Sequence, residues 1–144
     1  MIKFDTSEID KFVIDLKDTS ENIRSDVQKV LKKSGFNIEA KAKLNITNNG
    51  SVKTGHLRRG ITTDVGNMEV TVHTSNIKYA RGVEEGTRPH VIKAKNKKAL
   101  YWKGAKHPVK SVRHPGSKAK PYLIPAFEKE KDQFLEKLKE VIKW

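Results

Sequence analysis

No cysteine occurs among the 144 residues, which excludes a disulfide framework, a thiolate metal site and a cysteine nucleophile. Aromatic residues are scarce at 7%. No Lys/Arg-Gly-aromatic string that would stack bases is present, so the common platform for single-stranded RNA is missing. No run reaches the roughly 18 to 20 apolar residues that span a bilayer. The opening Met1-Ile2-Lys3-Phe4-Asp5 puts an acid where a secretory leader would begin its apolar core. A soluble chain made inside a cell, with no membrane partner, is the expectation. Phosphate loop, dinucleotide glycine fingerprint and nucleophile elbow are all absent.

Acids are also missing locally, and this exposes where the charge lies. The chain carries 30 Lys and Arg against 17 Asp and Glu, a net charge of +13. Residues 1–47 hold 9 against 8 and residues 121–144 hold 5 against 5, whereas residues 48–120 hold 16 against 4. No Asp or Glu lies between residues 86 and 127. Such a field attracts nucleic acid or acidic protein surfaces and acts on encounter more than on fold.

Periodicity predicts helices at both ends. Ile9, Phe12, Val13 and Leu16 recur at helical spacing after Ser7. Ile23, Val27, Val30, Leu31, Ser34, Ile38 and Ala42 continue the pattern to about Leu44, and an N-cap-like Asp18-Thr19-Ser20-Glu21 cluster predicts a break near 18–20. Gly35 inside this run costs about 1 kcal/mol of helix propensity, which points to a kink or a close approach.

Asn45–Gly55 reads as a loop. Ile61–Val65 and a second strand from Met68 then read as a hairpin about a two-residue Gly66-Asn67 turn, with Met68, Val70 and Val72 alternating with Glu69, Thr71 and His73. Tyr79–Glu84 reads as a strand or a short helical turn ending at Gly86. His90–Ile92, Ala99–Trp102 and Val109–Arg113 read as short strands around a basic loop over 93–110. The last segment, 121–143, places Phe127, Lys131, Phe134, Leu135, Leu138, Val141 and Ile142 on one face; Glu128, Glu130 and Asp132 crowd its start and bases its end, as the helix dipole favours. The expected fold is a single α+β domain: helical over 1–46, a central antiparallel sheet over 56–114, and an amphipathic C-terminal helix packed on that sheet.

All five histidines (His56, His73, His90, His107, His114) fall in the basic middle. His107 and His114 are seven apart, but no carboxylate accompanies them, so neither a metal site nor a toxin-like nuclease is favoured. Asp64, Glu69, Glu84 and Glu85 are too sparse to nominate an acid–base pair, and Glu84 is expected to pair with an Arg. The expectation is a non-enzyme without metal or cofactor.

Three strings add a resemblance. Val52-Lys53-Thr54-Gly55-His56-Leu57-Arg58-Arg59-Gly60-Ile61, Tyr79-Ala80-Arg81-Gly82-Val83-Glu84-Glu85-Gly86-Thr87, and His114-Pro115-Gly116-Ser117-Lys118-Ala119-Lys120-Pro121-Tyr122-Leu123-Ile124-Pro125-Ala126-Phe127 together resemble the tail-completion, or head-tail joining, proteins of long-tailed bacteriophages. Gly60 stands where that family often has Ser, and Tyr122 where it has Phe. Physically, Gly55, Gly86 and Gly116 suit turns that need permissive backbone, Pro121 and Pro125 suit the start of a helix, and Tyr79, Val83, Tyr122, Leu123 and Phe127 are expected in the core.

The resemblance implies a structural virion protein made in the host cytoplasm. It would form a homo-oligomeric ring, six copies in the virion, at the head-tail junction, contact neighbouring neck and tail proteins, and let DNA pass through its lumen. Gly55, Leu57, Arg58, Tyr79, Glu84, Gly86, Thr87, His114, Pro115, Gly116, Pro121 and Pro125 are its expected fold and assembly residues. Lys93, Lys95, Lys97, Lys98, Lys103, Lys106 and Lys110 are the expected partner or DNA contacts. The alternative is a small basic nucleic-acid-binding protein acting alone.

Overall fold

The computed structural model describes residues 21–142. The pattern over residues 7–18 and the expected break near 18–20 therefore lie outside the described residues. A continuous helix α1 (Glu21–Asn48) comes first, about 42 Å long at 1.5 Å per residue. A single turn α2 (His56–Arg59) leads into the hairpin β1 (Ile61–Val65) and β2 (Val70–Thr74). The short helix α3 (Ala80–Glu85) precedes a second hairpin, β3 (His90–Lys93) and β4 (Ser111–His114), and α4 (Leu123–Ile142) closes the order. The fold is α+β, with its strands in two separate two-stranded antiparallel sheets rather than one.

Helix α4 runs antiparallel to α1. Val27 packs with Phe134 and Leu138 towards one end, and at the other Asn45 Nδ2 donates to the Tyr122 carbonyl at 2.9 Å. Buried positions Leu123, Ala126, Glu130, Phe134 and Leu138 recur every three or four residues, which gives α4 one inward stripe. Its first turn meets the first sheet, where Leu123 and Ala126 join Ile61 and Val72 in the main core. Further along, Phe134 and Leu138 pack with Val27 of α1, and Met68 packs against that cluster. Between the helices the buried Glu130 accepts from Lys41 Nζ at 2.6 Å and Asn37 Nδ2 at 2.9 Å. Burial alone would raise the Glu130 carboxyl, but these bonds and the Lys41 charge outweigh it and hold the pKa below its ordinary value.

Strand pairing Ile61↔Thr74 through Val65↔Val70 puts Ile61, Thr63, Val72 and Thr74 on the face towards α1, the alternation expected from the sequence. The turn is shifted by one residue: Gly66 N–H donates to Glu69 O at 2.8 Å, so Asn67 and Met68 are its central pair, with Met68 at φ +58. Gly35 marks a close approach and not a break in α1. A Cβ there would lie 2.2 Å from Val70 Cγ1 and 3.0 Å from Thr63 Cγ2, so the glycine lets α1 seat against the sheet. Beside it Thr63 Oγ1 donates to Glu39 Oε2 at 2.6 Å.

Candidate functional site

The three strings, spread over residues 52–127, converge at the C-terminal end of α1. Glu84 is the centre of that junction. Its carboxylate is buried and accepts from the backbone N–H groups of Tyr122 (2.8 Å), Leu123 (3.0 Å) and Ile124 (2.9 Å). The first N–H groups of a helix have no partner within it and carry partial positive charge. Glu84 thus caps α4 from 38 to 40 residues upstream in the chain.

This corrects two expectations. Glu84 pairs with a helix start and not with an arginine, since Arg81 Nε donates to Glu85 instead at 2.8 Å. The acids near the start of α4 do not serve its dipole either: its first turn contains none, and Glu130 is turned inwards to Lys41.

Around Glu84 the backbone closes the second string on the third. Thr87 and Ser117 exchange both backbone hydrogen bonds at 3.0 Å and pair their hydroxyls at 2.9 Å, while Lys120 N–H donates to Val83 O at 2.8 Å. The bridge is tight enough to demand two glycines. Gly86 sits at φ +77, where a Cβ would lie 2.7 Å from Ser117 O, and Gly116 at φ +88, where a Cβ would lie 2.3 Å from Thr87 O. From the other side Asn49 Nδ2 donates to Lys120 O at 3.2 Å. Pro121 precedes α4 and Pro125 lies in its first turn, as expected. Tyr122 is fully buried; burial, with the Glu84 charge adding to it, pushes its hydroxyl up to about 12.

The first string reaches the junction through Leu57, which is buried in the same core, and through Gly55 at φ +71 ahead of α2. Arg58 is exposed. Tyr79 is not core. It is half exposed, its hydroxyl 3.4 Å from His56 Nδ1, because α3 turns it away from Ala80 and Glu84 and over an open groove. That groove has a volume of about 610 Å3 and runs between the α1–α2 loop, α3 and the strap 117–120.

The second sheet contributes nothing to this core. All four residues of β3 are exposed, and beyond the β3–β4 pairing the hairpin continues as an Ala94 N–H to Lys110 O bond at 3.1 Å and an isolated bridge between Leu100 and Val109, so Ala99–Trp102 is not a strand. Lys93, Lys95, Lys97, Lys98, Lys103, Lys106 and Lys110 are all exposed along this arm. Residues 88–120 carry 11 Lys and Arg and no acid, and the ion pairs among the described residues lie elsewhere. Tyr101 and Trp102 are exposed near its tip. At its base the His90 and His114 rings stack at 5.1 Å, and His114 Nδ1 accepts from Gly116 N–H at 3.0 Å. This places His114, Pro115 and Gly116 at the hinge between arm and junction. His107 is exposed, and among the described residues no group of three His, Cys, Asp or Glu is placed to hold a metal ion.

A buried carboxylate caps a distant helix at this junction, and beside it lies a basic arm that forms no ion pair among the described residues. Residues 10–86 match the family described as "Bacteriophage HK97-gp10, putative tail-component", and the chain belongs to that family. It is thus a bacteriophage tail component, a part of the virion. The match spans α1, the first hairpin and α3, and ends at Gly86 where the junction begins to close. No curated protein and no solved structure matches the chain. No helix among the described residues is long and apolar enough to cross a membrane.

Proposed function

We propose that the chain is a tail-completion subunit that assembles as a ring, six copies in the virion, between the capsid neck and the tail tube. The observation that carries this reading is the convergence of the three strings. Residues matched to the head-tail joining pattern far apart in sequence close on one another through Glu84 and the Thr87–Ser117 bridge, which makes the resemblance one to a single three-dimensional unit. Gly55, Leu57, Glu84, Gly86, Thr87, Gly116 and Pro121 build that unit, and the arm is its contact surface.

Lysines 93, 95, 97 and 98 face acidic surfaces of neighbouring neck or tail proteins. DNA passes through the lumen, and for a duplex that must slide a strongly cationic wall would act as a brake. The test is reversal of Lys93, Lys95, Lys97 and Lys98 to Glu in an infecting phage, with electron microscopy of the particles. Filled heads separated from tails are expected; normal joined and infectious particles would overturn the reading.

The second reading, a nucleic-acid binder acting alone, is favoured by the 11 cations of residues 88–120. Tight DNA binding by the free monomer, with log affinity falling steeply against log salt, would support it instead.

A further inference from the structure

The groove beside the junction is a built surface whose occupant is absent from the described residues. Its walls are Val52, Leu57, Tyr79 and Val83, its rim carries Lys53, Arg58, Lys118 and Lys120, and among the described residues no carboxylate lines it. A second hollow of about 480 Å3 shares Tyr79, Gly82, Val83 and Ser117 with it and extends it over α3, where the one carboxylate in its lining, Glu85, is held by Arg81. Volumes of several hundred Å3 with apolar walls and a few polar groups are typical of sites that bury a ligand. The fitting occupant is apolar on one side and acidic on the other.

The arm of another copy does not meet that description, because it would set Lys97, Lys98 and Lys103 against Lys118 and Lys120. Residues 1–20 do meet it. They carry Phe4, Ile9, Phe12, Val13 and Leu16 together with Asp5, Glu8, Asp10, Asp15 and Asp18, against only three lysines. They cannot easily reach the groove of their own chain. They join α1 at Glu21, whereas the groove begins at Gly50, about 42 Å away along the helix; docked as an amphipathic helix, 20 residues would span only about 30 Å, so that mode of docking requires a second copy.

We infer that residues 1–20 of one copy dock in this groove of a second copy, a head-to-tail contact that repeats around a closed assembly. The inference rests on reading the chain as a self-associating subunit. Its ligand class is an acidic amphipathic segment held by apolar burial and by lysines at the rim.

A labelled peptide of residues 1–20, titrated into dilute full-length chain and followed by fluorescence anisotropy, tests it. Saturable binding is expected, weakened about tenfold or more by Val52→Asp and by Lys118→Glu with Lys120→Glu, and absent for a scrambled peptide of the same composition. No saturable binding, or equal binding to wild type and to both groove variants, overturns the proposal. So does loss of binding only when the arm lysines are reversed.

Sedimentation velocity separates this outcome from the ring reading. Neither a Phe12→Asp/Val13→Asp chain nor a Val52→Asp chain should associate alone, yet their mixture should form a pair through the one intact contact. Rings that form without peptide binding overturn the docking alone; a chain that binds peptide but never assembles overturns the ring alone.

Discussion

The junction and the arm are neighbours in sequence and opposite in physical character. Around Glu84 a buried carboxylate meets three helix N–H groups, and two glycines admit a backbone bridge that no side chain could share. A few residues away, on the arm, the cations form no ion pair among the described residues and β3 is solvated along its length. Groups matched inside the fold contribute stability and little recognition, while a like-charged exposed arm contributes little stability and is available to a partner. Substitutions in the first region should therefore act on folding, and those in the second on association.

The sharpest separation should come at Glu84. Hydrogen bonds to a charged group are worth about 1.5–3 kcal/mol each and are not additive, so Glu84→Ala should cost about 3 kcal/mol or more, read from the urea midpoint. Glu84→Gln keeps one acceptor but turns an NH2 group towards a backbone N–H, and it should recover only part of that loss. Stability unchanged by both would mean that the cap does not hold the start of α4.

Glycines allow the same comparison with one residue type. At Gly116 a Cβ would lie 2.3 Å from a carbonyl oxygen, and at least 2 kcal/mol is expected for Gly116→Ala from the clash and the left-handed backbone together. On the arm Gly104 also has a positive φ, +102, but nothing lies within 4 Å of its Cβ position, so Gly104→Ala should cost only about 1–2 kcal/mol for handedness. Equal losses at the two sites, by thermal or urea unfolding, would remove the distinction between close approach and backbone conformation.

Much of the frame was legible in the sequence because it is periodic. The stripe from Val27 to Ala42, the alternation of the first hairpin and the inward Phe134 and Leu138 of the last helix follow from spacing alone, whereas Ala126 and Glu130 take the buried places that spacing gives to Phe127 and Lys131. Gly35 was legible as an anomaly, though only the position of Val70 decides between a kink and a close approach. What periodicity could not supply was pairing over distance. Glu84 lies in a string whose neighbours include Arg81, and local spacing favours a salt bridge; its true partners lie at 122–124 and are backbone groups that leave no mark on residue identity. Tyr79 was misplaced for a related reason: a single turn of helix offers too little period to say which side faces inward. The groove had no signal, because its walls come from three separate segments. The arm was legible through missing acids, although its strands were overcounted where alternation is weak and lysines dominate.

A weaker test uses pH. The Glu130 pKa is held below its ordinary 4.5, as is that of Glu39, where burial is outweighed by Lys43 and Thr63. A carboxyl with a lowered folded pKa contributes stability that is complete above its unfolded value and is lost as pH falls through the folded one. Unfolding midpoints should accordingly decline below about pH 4.5, and Glu130→Gln should lower stability at pH 7 while flattening that decline. An unchanged slope would mean that the Lys41 and Asn37 contacts do not persist in solution.

Reversing Lys93, Lys95, Lys97 and Lys98 to Glu should have the smallest effect on the isolated chain. These side chains are exposed, and surface substitutions away from caps and networks usually fall within about 0.5 kcal/mol each. The change removes the concentration of like charge along the arm, so the unfolding midpoint is expected to stay level or to rise slightly at low salt and to converge with wild type as salt screens the field. A large loss of stability would mean that the arm packs into the folded core after all, and the defect in joined particles expected from the same substitutions could no longer be assigned to contact. A level midpoint combined with unjoined heads and tails would divide the two regions cleanly, with folding governed by the junction and assembly by the arm.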